Sequence, residues 1–268
     1  MDADQTLFRC VVCGVDGTEE SRAAVAQVGR LIEASGGESR VVLVCVWNTG
    51  ASVAVGWSPT IARTGSFPQE ELRAAADNVR PLLPASAAVE TVVVEGPPGP
   101  MMLTEAGRHK ATLVAVGSHD HRRLSGLLLG SVAAQLLHEA PCAVLMARGQ
   151  AGDGFPARVV VGADGSQESA RAIRAAATIA KACGSQLEAV VATGGGTPDP
   201  AAVRSALDAA AGPEAALRME SDSPVDALSR LDPDLLVVGS RGLQGIRALG
   251  SVSERVAHEA RCSVLVVR

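Results

Sequence analysis

Two stretches of the chain carry residues that could hold a phosphate. In the first, Gly117 closes an apolar run and Gly130-Ser131 follows thirteen positions later, across a loop rich in His and Arg. In the second, Gly239 closes LLVV, Gly242 follows, and Gly250-Ser251 comes after a shorter gap. A glycine-rich loop that ends at a helix start offers unpaired backbone N–H groups and the positive end of the helix dipole to an anion. Ser131 and Ser251 read as N-caps of those helices, and Gly117 and Gly239 as points where the chain must turn sharply. Two aspartates, Asp16 in DGT and Asp164 in DGS, follow an apolar run in the same way. Such a carboxylate suits a hydrogen bond to a ribose or adenine, and equally suits a turn or N-cap at the start of the next helix. Spacing leaves both readings open.

The elements that must position these residues occur twice. CVVCGVDGTEES from Cys10 is answered by VVVGADGSQES from Val159, and Asp164 and Gly184 stand 148 positions after Asp16 and Gly36. The offset falls to 122 between Gly117 and Gly239 and to 120 between Cys142 and Cys262, so the second copy is trimmed. The copies read as domains 1–148 and 158–268, joined by a Gly/Pro-rich linker, 149–157. In the first copy Arg9–Val15, Val41–Val46, Val89–Glu95, Leu113–Val116 and Ala143–Met146 are apolar and of strand length. Helical spacing runs from Thr18 or Glu19 through Ile32, stopped by Gly36-Gly37, and again over Gln69–Leu83, Met101–His109 and Val132–His138, with Asn48–Pro68 a loop. The second copy repeats the alternation from Arg158–Val161 to Ser263–Val267. This predicts an α/β fold of two doubly wound domains, each a five-stranded parallel sheet flanked by helices in strand order 3-2-1-4-5. Ligands of such sheets bind beyond the carboxyl ends of strands where the winding reverses, which would bring Asp16 and the Gly117 loop to one crevice.

Composition excludes several classes. A net charge of −5 argues against nucleic acid as a partner. Apolar runs such as Val41–Trp47 are far too short to span a membrane, and MDADQTLFR lacks the apolar core of a signal peptide, so a cytoplasmic protein is expected. Aromatic residues make up 2% and Tyr is absent, so the core must be built from Val, Leu and Ala, as in buried parallel strands. Cys10 and Cys13 form C-x-x-C, but three positions apart on a strand they face opposite ways and read as small buried hydrophobes. His138 and His258 stand at helix C-termini and read as structural. Trp47 and Trp57 read as packing residues. Neither a nucleophile elbow nor a P-loop lysine is found, so an enzyme is not expected.

DGT and DGS after the first strand, the glycine loops ending in Gly-Ser, and the HEAPC and HEARC endings together resemble the universal stress proteins. Over nearly all of both copies the chain is similar to their tandem, actinobacterial-type members. The resemblance implies ATP or a related adenine nucleotide as ligand, with adenine at the end of the second strand, ribose near the aspartate and phosphates in the glycine loop. Carried onto this chain it implies Gly14, Asp16, Val46, Gly117, Gly130, Ser131 and Val132 in the first copy. In the second it implies Gly162, Asp164, Ala192, Gly239, Gly242, Gly250, Ser251 and Val252. It further implies that Ala143–Met146 and Ser263–Val267 pair across the copies as an internal pseudo-dimer, leaving room for a homodimer through other surfaces.

Both loops depart from the family's Gly-x-x-Gly, nine residues, Gly-Ser. The first keeps the spacing but has Asp120 at the second glycine, among His119, His121, Arg122 and Arg123. A carboxylate there either repels phosphates or holds a Mg²⁺ that bridges them; His119 and His121 beside it make a poor metal cage of their own. The second loop keeps Gly242 but has seven residues before Gly250, with Arg241 and Arg247 suited to phosphate contacts. The leading expectation is a stress-response regulator that binds ATP, with at most slow, incidental hydrolysis. The alternative is a scaffold without nucleotide, its loops degenerate, acting through protein partners. An adenylyl-transferring enzyme stands third, because its catalytic loop is not found.

Overall fold

A computed structural model describes residues 7–48, 68–118, 130–240 and 251–268. Among them ten strands form one sheet in the order β3-β2-β1-β4-β5-β10-β9-β6-β7-β8. The first five are β1 (Cys10–Gly14), β2 (Arg40–Trp47), β3 (Ala88–Glu95), β4 (Leu113–Gly117) and β5 (Ala143–Ala147). The rest are β6 (Arg158–Gly162), β7 (Gln186–Ala192), β8 (Ala216–Glu220), β9 (Leu235–Gly239) and β10 (Ser263–Val267). The order 3-2-1-4-5 thus occurs in the first half and, read from the far edge, in the second. Pairing is parallel within each half, and β5 meets β10 antiparallel with Leu145 opposite Leu265. The two five-stranded halves expected from sequence thus join, through the expected pairing of their last strands, into one continuous sheet.

Helices cover both faces. α1 (Glu19–Ser35), α2 (Pro68–Val79), α5 (Gln167–Cys183) and α6 (Pro200–Ala211) lie on one, where Val11, Cys13, Leu43, Ile32 and Ile173 are buried together. α3 (Pro98–Arg108), α4 (Ser131–Glu139), α7 (Pro224–Ser229) and α8 (Ser251–Glu259) lie on the other, over Val12, Val44, Met102, Leu136 and Val264. Alternate strand residues feed alternate layers, so strands covered on both sides must be apolar throughout.

Local chemistry sets the helix ends. Thr18 Oγ1 accepts from Ser21 N–H at 3.2 Å and Ser166 Oγ from Ser169 N–H at 3.2 Å, capping α1 and α5. Both helices stop at a left-handed glycine, Gly36 and Gly184. The helix expected over Gln69–Leu83 is shorter: α2 ends at Val79, and Arg80–Leu82 form a 3₁₀ turn around Pro81, which has no N–H to continue an α-helix.

Candidate functional site

β1 pairs with β2 on one side and β4 on the other, so the winding reverses at its carboxyl end. The same holds for β6, between β7 and β9. At the first switch point Gly14 ends β1, Gly117 ends β4, and α4 begins at Ser131 with Gly130 in the cap position. Val15 N–H donates to Val44 C=O at 2.9 Å. Val46, two residues further along the same edge of β2, therefore lies past the end of β1, at the mouth of the crevice. Gly162, Asp164, Ala192, Gly239 and Val252 hold the matching places in the second half, where Ala163 N–H donates to Val190 C=O at 3.0 Å. Gly242, Gly250 and the side chain of Ser251 lie outside the described residues, as do Asp120 and its basic neighbours, Arg241, Arg247 and Trp57.

Several of these residues have work in the fold itself. Asp16 Oδ1 accepts from Thr18 N–H at 3.0 Å and from Thr18 Oγ1 at 2.6 Å, so the carboxylate fastens the turn before α1. Asp164 Oδ1 does the same for Ser166 N–H at 3.0 Å. Gly117 and Gly239 are not left-handed turn formers. A Cβ on Gly117 would lie 2.5 Å from Glu20 C=O, and one on Gly239 would lie 2.6 Å from Glu168 C=O. These glycines exist because the first turn of α1 or α5 rests directly on the strand end. Gly162 likewise makes room for Leu228, which a Cβ would meet at 2.6 Å.

The start of α4 is different. Ser131 is the first helical residue and not the cap. Gly130 occupies that position, makes no side-chain hydrogen bond, and no acidic residue stands in the first turn. The leading N–H groups of α4 thus keep an anion-attracting end that α1 and α5 cover with hydroxyls.

The second crevice is partly filled from α6. Asp199 N–H donates to Asp164 C=O at 2.9 Å, and a Cβ on Gly165 would lie 2.8 Å from Asp199 Cβ. In the first half the matching glycine, Gly17, has Ala75 Cβ nearest among the described residues, at 3.6 Å. α8 also carries an acidic residue in its first turn, Glu254, whose Oε1 lies 3.1 Å from His138 Nε2 at the end of α4. Sequence reasoning missed Asp199. Its signal was the D-P pair that starts α6, but its seat against Gly165 is a tertiary contact.

The thiols do not offer a nucleophile. Cys13 and Cys45 are buried, and burial pushes each up to about 12; Cys142 and Cys262 are pushed up to about 11. Cys13 joins the layer under α1, while Cys10 Sγ donates to His109 C=O at 3.4 Å. Among the described residues no cluster of His, Cys, Asp and Glu could hold a metal ion. No helix among them is long and apolar enough to cross a membrane. Trp47 packs partly buried against the layer under α1 and α2, away from the face that carries α4.

The fold is shared with known proteins. The model of the universal stress protein family matches residues 8–148 and 218–268. Universal stress protein Sll1388 of Synechocystis is 49% identical over 45 residues, which are 16% of this chain and 29% of that relative's length. A universal stress protein from Archaeoglobus fulgidus superposes with a TM-score of 0.72, at 21% identity over 98% of each chain. One from Pseudomonas aeruginosa does so with a TM-score of 0.72, at 18% identity over 99% of this chain and 95% of its own. With the family model covering most of the chain and the fold shared end to end, the protein belongs to the universal stress protein family.

Proposed function

We propose that the chain is a regulatory protein that binds ATP or a related adenine nucleotide in the first-half crevice. The observation that carries this reading is the start of α4, which presents helix N–H groups with a glycine cap and no acidic residue in its first turn at a strand switch point. The main chain of Val46 offers hydrogen-bonding groups to an adenine edge, and Gly130, Ser131 and Val132 offer N–H groups to phosphates. The acidic first turn of α8, against none in the first turn of α4, favours the first half over the second. Among the described residues no nucleophile and base are arranged for turnover, and on this reading hydrolysis, where it occurs, is incidental and binding is the function. On this reading residues 1–148 and 158–268 act as two family domains joined by 149–157. The β5–β10 pairing stands in for the contact between separate subunits. The ligand then serves a cytoplasmic stress response.

Calorimetric titration with ATP, with and without Mg²⁺, after removal of co-purified nucleotide, tests the proposal. The expected result is one site per chain with micromolar affinity, about −8 kcal/mol. Two equal sites would refute the preference for the first half. A second reading, a scaffold without nucleotide, draws support from the structural work of Asp16, Gly117, Gly162 and Gly239. An absence of heat together with an absence of co-purified nucleotide would establish it.

A further inference from the structure

The contact between the halves is a near twofold repeat with one buried side-chain pair that breaks it. Offsets of 120 relate β5 to β10 and α4 to α8, and an offset of 148 relates α1 to α5. Arg148 and Arg268 correspond, and each reaches across the seam to the end of the other half's helix. Arg148 donates to Ala257 C=O at 2.6 Å and Cys262 C=O at 3.2 Å; Arg268 donates to Leu137 C=O at 2.5 Å. The bonds to Ala257 and Leu137 correspond, and each pairs a terminal arginine with the same carbonyl of the facing helix, whichever half faces which.

Gln27 and Ser263 break the symmetry. Gln27 is 0% exposed and Ser263 1%. Ser263 Oγ accepts from Arg148 N–H at 3.0 Å and donates to Gln27 Oε1 at 2.8 Å, while Gln27 Nε2 donates to Arg148 C=O at 3.1 Å. At the other end of the seam the corresponding residues are Ala175 and Ala143, two methyl groups. One end is therefore a closed polar network and the other is apolar.

We infer that this asymmetry is a pairing code: the seam surface of the first half fits the second half and rejects a copy of itself. Were two first halves to pair by the same geometry, each Gln27 would face the Ala143 methyl of the other copy and its buried carbonyl would lose its donor, twice per assembly. Leaving a buried amide unpaired is far more costly than making it is rewarding. Two second halves would in turn set each Ser263 against Ala175. Only the mixed pairing satisfies every group. A further asymmetric contact, His138 with Glu254, is half-exposed and decides little. The code keeps a duplicated chain closed on itself, where strands β5 and β10 could otherwise pair with their like on a neighbouring molecule.

The test exchanges residues without changing composition. Ala143→Ser with Ser263→Ala puts both polar residues in the first half, so like-with-like pairing between chains becomes the matched arrangement. Gln27→Ala with Ala175→Gln puts both in the second half, with the same consequence. All four substitutions together move the network to the other end and match the halves within a chain again. Each full-length variant is refolded from denaturant at low and high concentration, and its mass is read by light scattering and its unfolding by denaturant. Wild type and the fourfold variant are expected to keep a concentration-independent mass. The two double variants are expected to form chain-exchanged assemblies at high concentration. At low concentration their unfolding constant should be raised about tenfold to a hundredfold, the cost of an unpaired buried amide. Double variants that match wild type in mass and stability would overturn the inference. So would a fourfold variant no more stable than the doubles, since the effect would then be local packing at Gln27.

Discussion

Gly117 and Asp16 stand side by side at the first crevice, yet their substitutions are expected to report on different things. An alanine at Gly117 drives a methyl into the peptide carbonyl of Glu20, and backbone cannot swing aside as a side chain can. The expected cost is about 1–3 kcal/mol of stability, in the range of overpacked cores, read as a lower denaturant midpoint at unchanged slope. Gly239→Ala should behave alike, through Glu168. Asp16→Asn keeps an oxygen to accept from Thr18 N–H, so the turn before α1 should survive with little change in midpoint. Its ATP affinity is the informative readout. A drop of tenfold or more at unchanged stability assigns the carboxylate to the ligand, whereas unchanged affinity assigns it to the turn alone.

Helix starts divide into those closed by a side chain and those left without one; α3 and α4 both lack such a cap, and of these two only α4 begins at a strand switch point. α1 and α5 are closed by Thr18 and Ser166; α4 is left with Gly130. Gly130→Asp should therefore leave stability unchanged or raise it by a few tenths of a kcal/mol, since aspartate is a slightly better cap than glycine. The same carboxylate would occupy the N–H groups proposed for phosphates, and ATP affinity should fall at least tenfold; affinity equal to wild type would place the phosphates elsewhere. Much of this was legible from sequence. Alternating runs of Val and Leu marked the strands, DGT and DGS marked the entry to α1 and α5, and the repeat offsets foretold the matching halves. The identity of the cap was misplaced by one residue, because Gly-Ser admits either as cap and only backbone angles decide. The reason for Gly117 was also hidden. A glycine that makes room for a helix nearly a hundred positions earlier in the chain leaves no local mark, and neither does Asp199 seated on Gly165.

The continuous sheet makes a claim about the molecule as a whole. β5 and β10 are its central strands, every residue of each is buried, and the seam carries hydrogen bonds from Arg148, Arg268 and Ser263. Separating the halves would expose that apolar centre and strand those carbonyls, so unfolding one half should carry the other with it. The tryptophans provide a one-sided probe, since Trp47 and Trp57 both belong to the first half. Leu265, in the second half, is 1% exposed and faces Leu145 across the seam. Leu265→Ala should cost about 2–5 kcal/mol, as buried leucines do. If the sheet unfolds as a unit, tryptophan fluorescence and far-ultraviolet circular dichroism should fall to lower denaturant together, with superimposable curves. If the halves are independent, the dichroism should split into two steps and the fluorescence midpoint should stay where the wild type has it. Leu236→Ala, fully buried in β9 and removed from the seam, is the control that extends the argument. A fluorescence shift from that substitution must cross the seam, through β10 and β5 or through the core layers that span both halves, because the tryptophans belong to the other half.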